Sequence, residues 1–435
     1  METDEIRKGI HKLIRKFDRA RKRKFVPGES KVQYSGGVYN YRELTSSIDA
    51  LLDGWFGAGK KAAEFEKELS AYLGVRECIL TNSGSSANLA AVSSLVSQQF
   101  SGRVEKGSEV LTPATTFPTT FNPILQCGLT PVLLDVELET YNVNAEALRD
   151  AVSEKTKLIM IPHMLGNPND MGVIMELAEE RGIYVIEDAC DALGSTYRKK
   201  PVGSFGEFGT FSFYPAHHIT TCGEGGAIST RSAELARIAR CITSWGRACY
   251  CKWDERNPNG ACGKRFEFKV NGVPYDHKYM YFDIGYNIKM TEVQAAFGVE
   301  QLKKLPEFVR ERRSNFRKLL NFFSDHEDYF ILPKATPNSD PAWFAFPLTI
   351  RDGAPFDRKS VTQWLEKNRI ETRLMFAGNI IRQPAYKNAR FKVFGELKNS
   401  DKIMKDTFFI GVYPGIDDAM LGYVFDKMEE FLRGR

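Results

Sequence analysis

Short apolar runs rich in β-branched residues alternate along this chain with stretches in which apolar positions recur every three or four residues. That alternation predicts strand–helix–strand units around a mostly parallel sheet. The runs CILT (78–81), EVLT (109–112), PVLLDV (131–136), KLIMIPH (157–163) and YVIED (184–188) predict strands. Between them, SSANLAAVSSLVSQQ, FPTTFNPILQC, NAEALRDAV and GVIMELAEERG predict helices. After about residue 310 the pattern changes: a long charged helix, LKKLPEFVRERRSNFRKLLNFF, leads to a strand in AWFAFPLTI and then to more helices. At the other end Ile10, Leu13, Ile14 and Phe17 keep helical spacing ahead of the basic run Arg19 to Lys24. This predicts an amphipathic helix packed on the body with a solvated basic end. The expected organisation is therefore an N-terminal helix over 1–30, a large α/β domain over 31–309 and a smaller C-terminal α+β domain over 310–435.

Composition changes this picture little. The 435 residues are 43% hydrophobic and 26% charged with a net charge of +5, ordinary for a globular protein and too mildly basic to point to nucleic acid. No window approaches the roughly 18 apolar residues of a membrane span. METDEIRKGIHKLIRKFDRARKRKF lacks the apolar core of a secretory signal, so the expectation is a cytoplasmic protein with no membrane partner. In a reducing compartment the eight cysteines are no disulfide framework, yet four of them crowd between Cys241 and Cys262.

In open α/β sheets ligands bind beyond the carboxyl ends of the strands. TNSGSSANLA follows the first strand and opens a helix. Gly84 permits a tight turn there, and Ser85 and Ser86 bring hydroxyls and unpaired N–H groups together, as a phosphate site or as a plain serine cap. Phe117, in TPATTFPTTFNP, either stacks on a flat ring or packs in the core. YVIEDACDALGS sets Glu187, Asp188 and Asp191 at a strand end, where a carboxylate either pairs with a protonated ring nitrogen or caps a helix. In FSFYPAHHITTCGEGGAIST (211–230), Ser212 adds a hydroxyl, and Gly223, Gly225 and Gly226 let backbone approach a ligand.

Phosphate cradle, ring stacker, acidic partner and Gly-rich loop, in that order, resemble the fold-type I enzymes that use pyridoxal phosphate. More narrowly they resemble the DegT/DnrJ/EryC1/StrS aminotransferases of nucleotide-linked keto-sugars, from SIDALLDGWFGAGKKAAEFEKELSAYLGV to GYNIKMTEVQAAFG. The resemblance implies that Ser85, Ser86 and Ser212 hold the phosphate, Phe117 stacks on the ring, Asp188 contacts the pyridine nitrogen and Asp191 lies near the ring hydroxyl. It also implies that Asn287, in GYNIKM, reaches the phosphate of a neighbouring subunit, hence a homodimer with shared sites. Aminotransferases use a lysine both as covalent anchor and as acid/base. Here His217 follows FYPA instead. Imidazole makes no stable tether, but it accepts a proton near neutral pH.

FYPAHHIT is similar to the His-bearing 3-dehydratases of the family. That implies pyridoxamine 5'-phosphate as the working cofactor and loss of the 3-hydroxyl from a nucleotide-linked 4-keto-6-deoxy sugar. Around Thr221–Cys222 the chain is one residue longer than that pattern. Counting from Pro215 selects His217 as the base, and counting back from Glu224 selects His218. The FYPA anchor abuts His217 and favours it.

SWGRACYCKWDERNPNGACGKRF carries Cys249, Cys251 and Cys262 around a polar loop, and Cys190 stands beside Asp188. Four thiolates suit an iron–sulfur cluster or a structural zinc, although paired C-x-x-C units are missing. The flanks WGR, CGKRF and YDHKY resemble those of the family's iron–sulfur CDP-4-keto-6-deoxy-D-glucose-3-dehydrase branch, with a somewhat longer loop before Cys262. That resemblance implies a 2Fe–2S cluster on Cys190, Cys249, Cys251 and Cys262. It also implies electrons from an NAD(P)H-dependent flavin/iron–sulfur reductase and release of a 3-deoxy sugar. Cys222 stands outside the pattern, and Cys78, Cys127 and Cys241 read as buried packing residues. Two other functions stay open: a clusterless 3-dehydratase that recycles its cofactor with an amino acid, and an aminotransferase-fold binding module without catalysis.

Overall fold

The computed structural model describes residues 2–21, 23–249 and 265–434. Three helices, α1 (Glu2–Ala20), α2 (Tyr41–Leu52) and α3 (Lys60–Leu73), precede the first strand, β1 (Glu77–Thr81). Then follow α4 (Gly84–Leu95), β2 (Glu109–Pro113), α5 (Pro118–Gln126), β3 (Thr130–Leu134), α6 (Ala145–Asp150), β4 (Thr156–Pro162), α7 (Met171–Arg181) and β5 (Tyr184–Asp188). A small hairpin of β6 (Thr196–Tyr197) and β7 (Lys200–Pro201) leads to β8 (Phe208–Ser212), β9 (Gly226–Thr230), α8 (Ala233–Ile242) and the long α9 (Glu292–Phe323).

The five expected strands all form. They join β8 and β9 in one sheet of order β1-β9-β8-β5-β4-β2-β3, with Lys392–Val393 added at the far edge. Neighbours run parallel except at β9, which is antiparallel to both β1 and β8. β8 and β9 lie inside the glycine-rich stretch, where five-residue strands beside Gly206, Gly209, Gly225 and Gly226 leave little apolar pattern to find. Both faces of the sheet are covered. Leu158, Met160 and Ile186 pack against α4 and α8, while Ile159, Ile161 and Val185 point into the opposite core. Burial on both sides is why the parallel strands read as continuous apolar runs.

The C-terminal part builds an antiparallel sheet from Phe330–Ile331, Ala345–Ile350, Thr407–Gly411 and Arg373–Leu374, in that order. Its core takes Phe316, Leu319 and Phe323 from the end of α9, and Val32 from the N-terminal segment. The expected boundary at 309–310 thus falls inside one continuous helix, whose first turns pack on α2 and α3. Rather than joining two parts by a linker, α9 serves both cores.

Helix α1 forms as expected but docks differently. Arg7 pairs with Asp49 at 3.3 Å and with Asp53 at 2.8 Å, and His11 meets Asp49 at 2.9 Å. Leu13 and Phe17, which the amphipathic pattern would bury, are 67% and 61% exposed. Among the described residues no helix is long and apolar enough to cross a membrane.

Candidate active site

The carboxyl ends of β1, β4, β5 and β8 open onto a cavity of about 560 Å³, within the size range of small-molecule sites. Its floor comes from these strand ends, and its opposite wall from Tyr34, Phe344, Arg373, Phe376 and Phe409. At the end of β1, Ser83 caps α4 by accepting a hydrogen bond from the Ser86 amide at 3.1 Å. Gly84 starts that helix. A Cβ at this position would lie 2.5 Å from Ser212 Cβ and 2.7 Å from Cys190 Sγ, so only glycine lets the helix N-terminus close onto the end of β8. Ser85 Oγ donates to Thr119 Oγ1 at 3.0 Å on the same rim. The dipole and unpaired amides of α4 thus face the cavity beside two hydroxyl-bearing loops, an arrangement suited to an anion.

Asp188 is 6% exposed and held by three donors. Its Oδ2 accepts from Asn88 Nδ2 at 2.7 Å and from Thr120 Oγ1 at 2.6 Å, and its Oδ1 accepts from the Cys190 amide at 3.1 Å. Thr210 fixes Asn88 in turn, donating to Asn88 Oδ1 at 2.6 Å. The preceding Glu187 points the other way, as strand alternation requires. It accepts from the amides of Gly203, Phe205 and Gly206 and meets His163 Nε2 at 3.1 Å. Glu187 therefore clamps the turn before β8, whereas Asp188 presents a fixed carboxylate to the cavity.

The loop between β8 and β9 separates the two histidines. His217 lines the cavity, with Nε2 3.4 Å from Asp191 Oδ1, while its Nδ1 is shut from solvent and meets no hydrogen-bond partner among the described residues. Its ring leans on Phe344, centroids 5.4 Å apart. His218 turns into the protein and donates from Nε2 to the Ala342 carbonyl at 2.6 Å. Further along the loop, Cys222 is exposed at φ 63°, and Thr221 Oγ1 donates to the Glu224 carbonyl at 2.7 Å. Burial, with the Arg312 guanidinium nearby, lowers His217 to about 3, so its ring is neutral at ordinary pH. Burial and the Asp188 charge raise Asp191 to about 8.

Arg312, on α9, is 1% exposed and donates to the carbonyls of Trp343 and Phe344 and, at 3.0 Å, of His217. It ties the histidine loop to the C-terminal sheet. Phe117 stands at the start of α5, half exposed, edge-on to Phe376 at 5.6 Å.

Of the residues expected from the sequence, Gly84, Ser85, Phe117, Asp188, Cys190, Asp191, Ser212 and His217 line one cavity. Ser86 sits one turn deeper, its hydroxyl accepting from Ser83 Oγ at 3.0 Å. Asn287 does not line this cavity; it is exposed, and its Oδ1 accepts from Lys289 Nζ at 2.8 Å. Cys190 and Cys249 are half-buried free thiols, while Cys251 and Cys262 lie outside the described residues. Among the described residues no three His, Cys, Asp or Glu side chains gather as a metal site. Cys78 and Cys241 are buried as expected, and Cys127 is half buried. Asn88, Thr120, His163, Arg312 and Arg373 are the additions. Only Asn88 carried a sequence signal, since it lies one helical turn after Gly84 on a face turned to the sheet.

The family model for DegT/DnrJ/EryC1/StrS aminotransferases matches residues 40–429. The chain belongs to this family. Within the DegT/DnrJ/EryC1/StrS family it is similar to the lipopolysaccharide biosynthesis protein RfbH of Salmonella typhimurium, 44% identical over 436 residues and 99% of each chain. It is 45% identical to the dTDP-4-dehydro-2,6-dideoxy-D-glucose 3-dehydratase of Saccharopolyspora spinosa over 411 residues, 94% of this chain and 88% of that one. The structure of E. coli GDP-4-keto-6-deoxy-D-mannose-3-dehydratase with bound hydrated PLP matches with a TM-score of 0.81 at 29% identity, covering 91% of this chain and 98% of that chain. The α/β fold is thus that of PLP-dependent family members, including their sugar 3-dehydratases.

Proposed function

We propose that this protein removes the 3-hydroxyl of a nucleotide-linked 4-keto-6-deoxyhexose, using pyridoxamine 5'-phosphate and a 2Fe–2S cluster, and releases a 3-deoxy sugar. The observation that carries the proposal is the imidazole of His217, which lines the cavity 3.4 Å from Asp191 on the loop where the family resemblance implies a lysine in the aminotransferases. The 3-dehydratase names of two relatives support the same reaction class.

The residues present fit the cofactor. The cradle that a Cβ on Gly84 would fill, with Ser85, Ser86 and Ser212 around it, suits its phosphate. Phe117 would cover a ring face, the three-donor Asp188 would keep the ring nitrogen protonated, and Asp191 would lie near the ring hydroxyl. When bound, pyridoxamine phosphate supplies the amine that condenses with the sugar ketone and the electron sink that acidifies the neighbouring carbon. His217 accepts the proton at Nε2, the nitrogen turned to Asp191. Asp191 is placed to share that proton, and Arg312 holds the loop through the His217 carbonyl. The apolar wall of Phe344, Phe376 and Phe409 keeps water from the reacting end.

Cys190, Cys249, Cys251 and Cys262 would hold the cluster, which supplies single electrons. Burial, Asp188 and Asp191 raise the Cys190 thiol well above its usual range, so a metal ion is what would turn it into a thiolate ligand. The electron donor is an NAD(P)H-dependent flavin/iron–sulfur reductase. The working unit is a cytoplasmic homodimer in which Asn287 reaches the partner's phosphate site.

The test is iron and acid-labile sulfide on anaerobically purified protein, with dehydration of a nucleotide-linked 4-keto-6-deoxy sugar followed in parallel. About two of each per chain, with a visible band bleached by reductase and NADH, is the expected result. Dehydration by protein that stays iron-free after reconstitution removes the cluster and leaves a dehydratase recharged by an amino acid. No dehydration with cofactor bound removes the reaction itself.

A further inference from the structure

Among the described residues, Arg373 is the sole lysine or arginine side chain lining the cavity. It is 45% exposed and stands on the wall supplied by the C-terminal sheet, opposite the strand ends. Its guanidinium is placed by three contacts. One nitrogen donates to the Thr372 carbonyl at 2.8 Å, another to Glu371 Oε1 at 2.7 Å, and the fork lies 4.4 Å from the centroid of the Tyr34 ring. Glu371 does not cancel this charge. It also accepts from Lys31 Nζ at 3.0 Å and from the Tyr34 amide at 3.3 Å, so two cations share one carboxylate and this cluster keeps one positive charge in excess, the exposed Glu224 standing on the β8–β9 loop side of the lining. A guanidinium carries five donors, and the two hydrogen bonds to Thr372 and Glu371 leave others to offer a ligand.

Position and chemistry together select the ligand. The buried floor, with its carboxylates, takes the cofactor and the reacting sugar. Whatever joins that sugar to a nucleoside must leave past the exposed rim. A planar fork pairs with phosphate oxygens at two points, and Phe344, Phe376 and Phe409 line the same wall of the cavity.

We propose that Arg373 anchors the diphosphate of the nucleotide-linked substrate, held in place by Tyr34 and the Lys31–Glu371 pair. The inference rests on the nucleotide-sugar function proposed above. Its role is to fix how deep the sugar sits, and so which carbon reaches His217.

The cofactor-loaded protein and its Arg373→Gln and Arg373→Lys variants are titrated calorimetrically with CDP, GDP, UDP and dTDP, and with the parent nucleosides. Arg373→Gln should weaken the tightest diphosphate about ten- to a hundredfold, as loss of a charged hydrogen-bond donor does, and leave nucleoside binding unchanged. Arg373→Lys should recover part of the loss, and thermal midpoints should coincide because Lys31 still neutralises Glu371. A diphosphate bound equally well by wild type and Arg373→Gln overturns the anchor and leaves the nucleotide-sugar function standing. Wild-type protein that binds none of the four overturns both. If Arg373→Gln instead raises only the glutamate concentration needed to aminate bound pyridoxal phosphate, read from its absorption band, the anchor is overturned and the guanidinium serves a carboxylate.

Discussion

Asp188 on the floor of the cavity is 6% exposed and accepts three hydrogen bonds, while Arg373 on the facing wall is 45% exposed and shares its carboxylate with a second cation. On the floor, partners such as Asn88 and Thr120 are themselves buried, and each is positioned by the strand or helix it stands on. On the wall, Tyr34, Phe344, Arg373 and Phe409 come from segments far apart in sequence, and polar contacts there are partly open to water. A buried carboxylate held by three donors keeps one position, which preorganised electrostatics at a reacting centre demands. A half-exposed guanidinium contributes little to folding and can reorganise around a ligand. The proposed function assigns chemistry to the floor and recognition to the wall.

The sharpest break of this contrast is His217→Asn. It should lower kcat about 10²- to 10⁴-fold with cofactor content retained, whereas His218→Asn, whose partner is the Ala342 carbonyl, should stay near wild type in kcat. Equal losses in the two variants would remove the distinction between cavity and packing histidine. Next in size is Arg312→Met, which leaves the carbonyls of Trp343, Phe344 and His217 unpaired. At about 1–3 kcal/mol for each buried unpaired group, the loss of stability should be about 3 kcal/mol or more, with slower turnover as the histidine loop loosens. A denaturation midpoint identical to wild type would show that this side chain does not tie wall to floor.

Gly84→Ala asks how closely the floor is packed. The added methyl meets Ser212 and Cys190, so overpacking of about 1–3 kcal/mol should appear as a roughly tenfold or larger rise in cofactor Kd. The smallest effect is a pH dependence. His217 stays neutral down to about 3 in the folded protein, whereas the unfolded chain protonates it near 6.5. Below that point the unfolded state binds the extra proton, so His217 makes a destabilising contribution that grows as pH falls from about 6.5 towards 3. The carboxyl of Asp191, raised to about 8, shifts stability the opposite way over the same fall in pH. Thermal midpoints of wild type and His217→Asn, compared at pH 7 and pH 5, should therefore shift by a few degrees in favour of the variant at the lower pH. A difference that does not change with pH would place His217 in a more solvated setting than the cavity provides.

Part of the floor was legible in advance because Gly84, Ser85, Asp188 and Asp191 end or follow strands whose apolar runs are plain. Ser212 and His217 belong to or follow β8, which carries little apolar pattern, and stood out through the stretch around FYPAHHIT instead. Gly84, Ser85, Asp188, Asp191, Ser212 and His217 all stand within a few residues of a strand end, and ligands in such folds sit there. The wall was not. Nothing local marks Arg373, two residues beyond Glu371 in a short edge strand, as facing a cavity, nor Arg312 as buried among carbonyls in a helix full of charges. Helix α1 shows the reverse failure. Its apolar stripe was plain, yet ion pairs to Asp49 and Asp53 dock it and leave Leu13 and Phe17 in water.

By itself the sequence determined the α/β plan and the order of the floor residues, because these depend on periodicity and on residues close together in the chain; an imidazole in place of a lysine is what the family resemblance implies. Only the tertiary structure decided which of two adjacent histidines enters the cavity. One reason is the turn beyond the pair, where Cys222 takes a left-handed conformation. The other is two carbonyls: that of Ala342 takes His218, and that of His217 is held by Arg312. Those partners lie about a hundred residues away in the chain and meet the loop only when α9 and the C-terminal sheet pack against it.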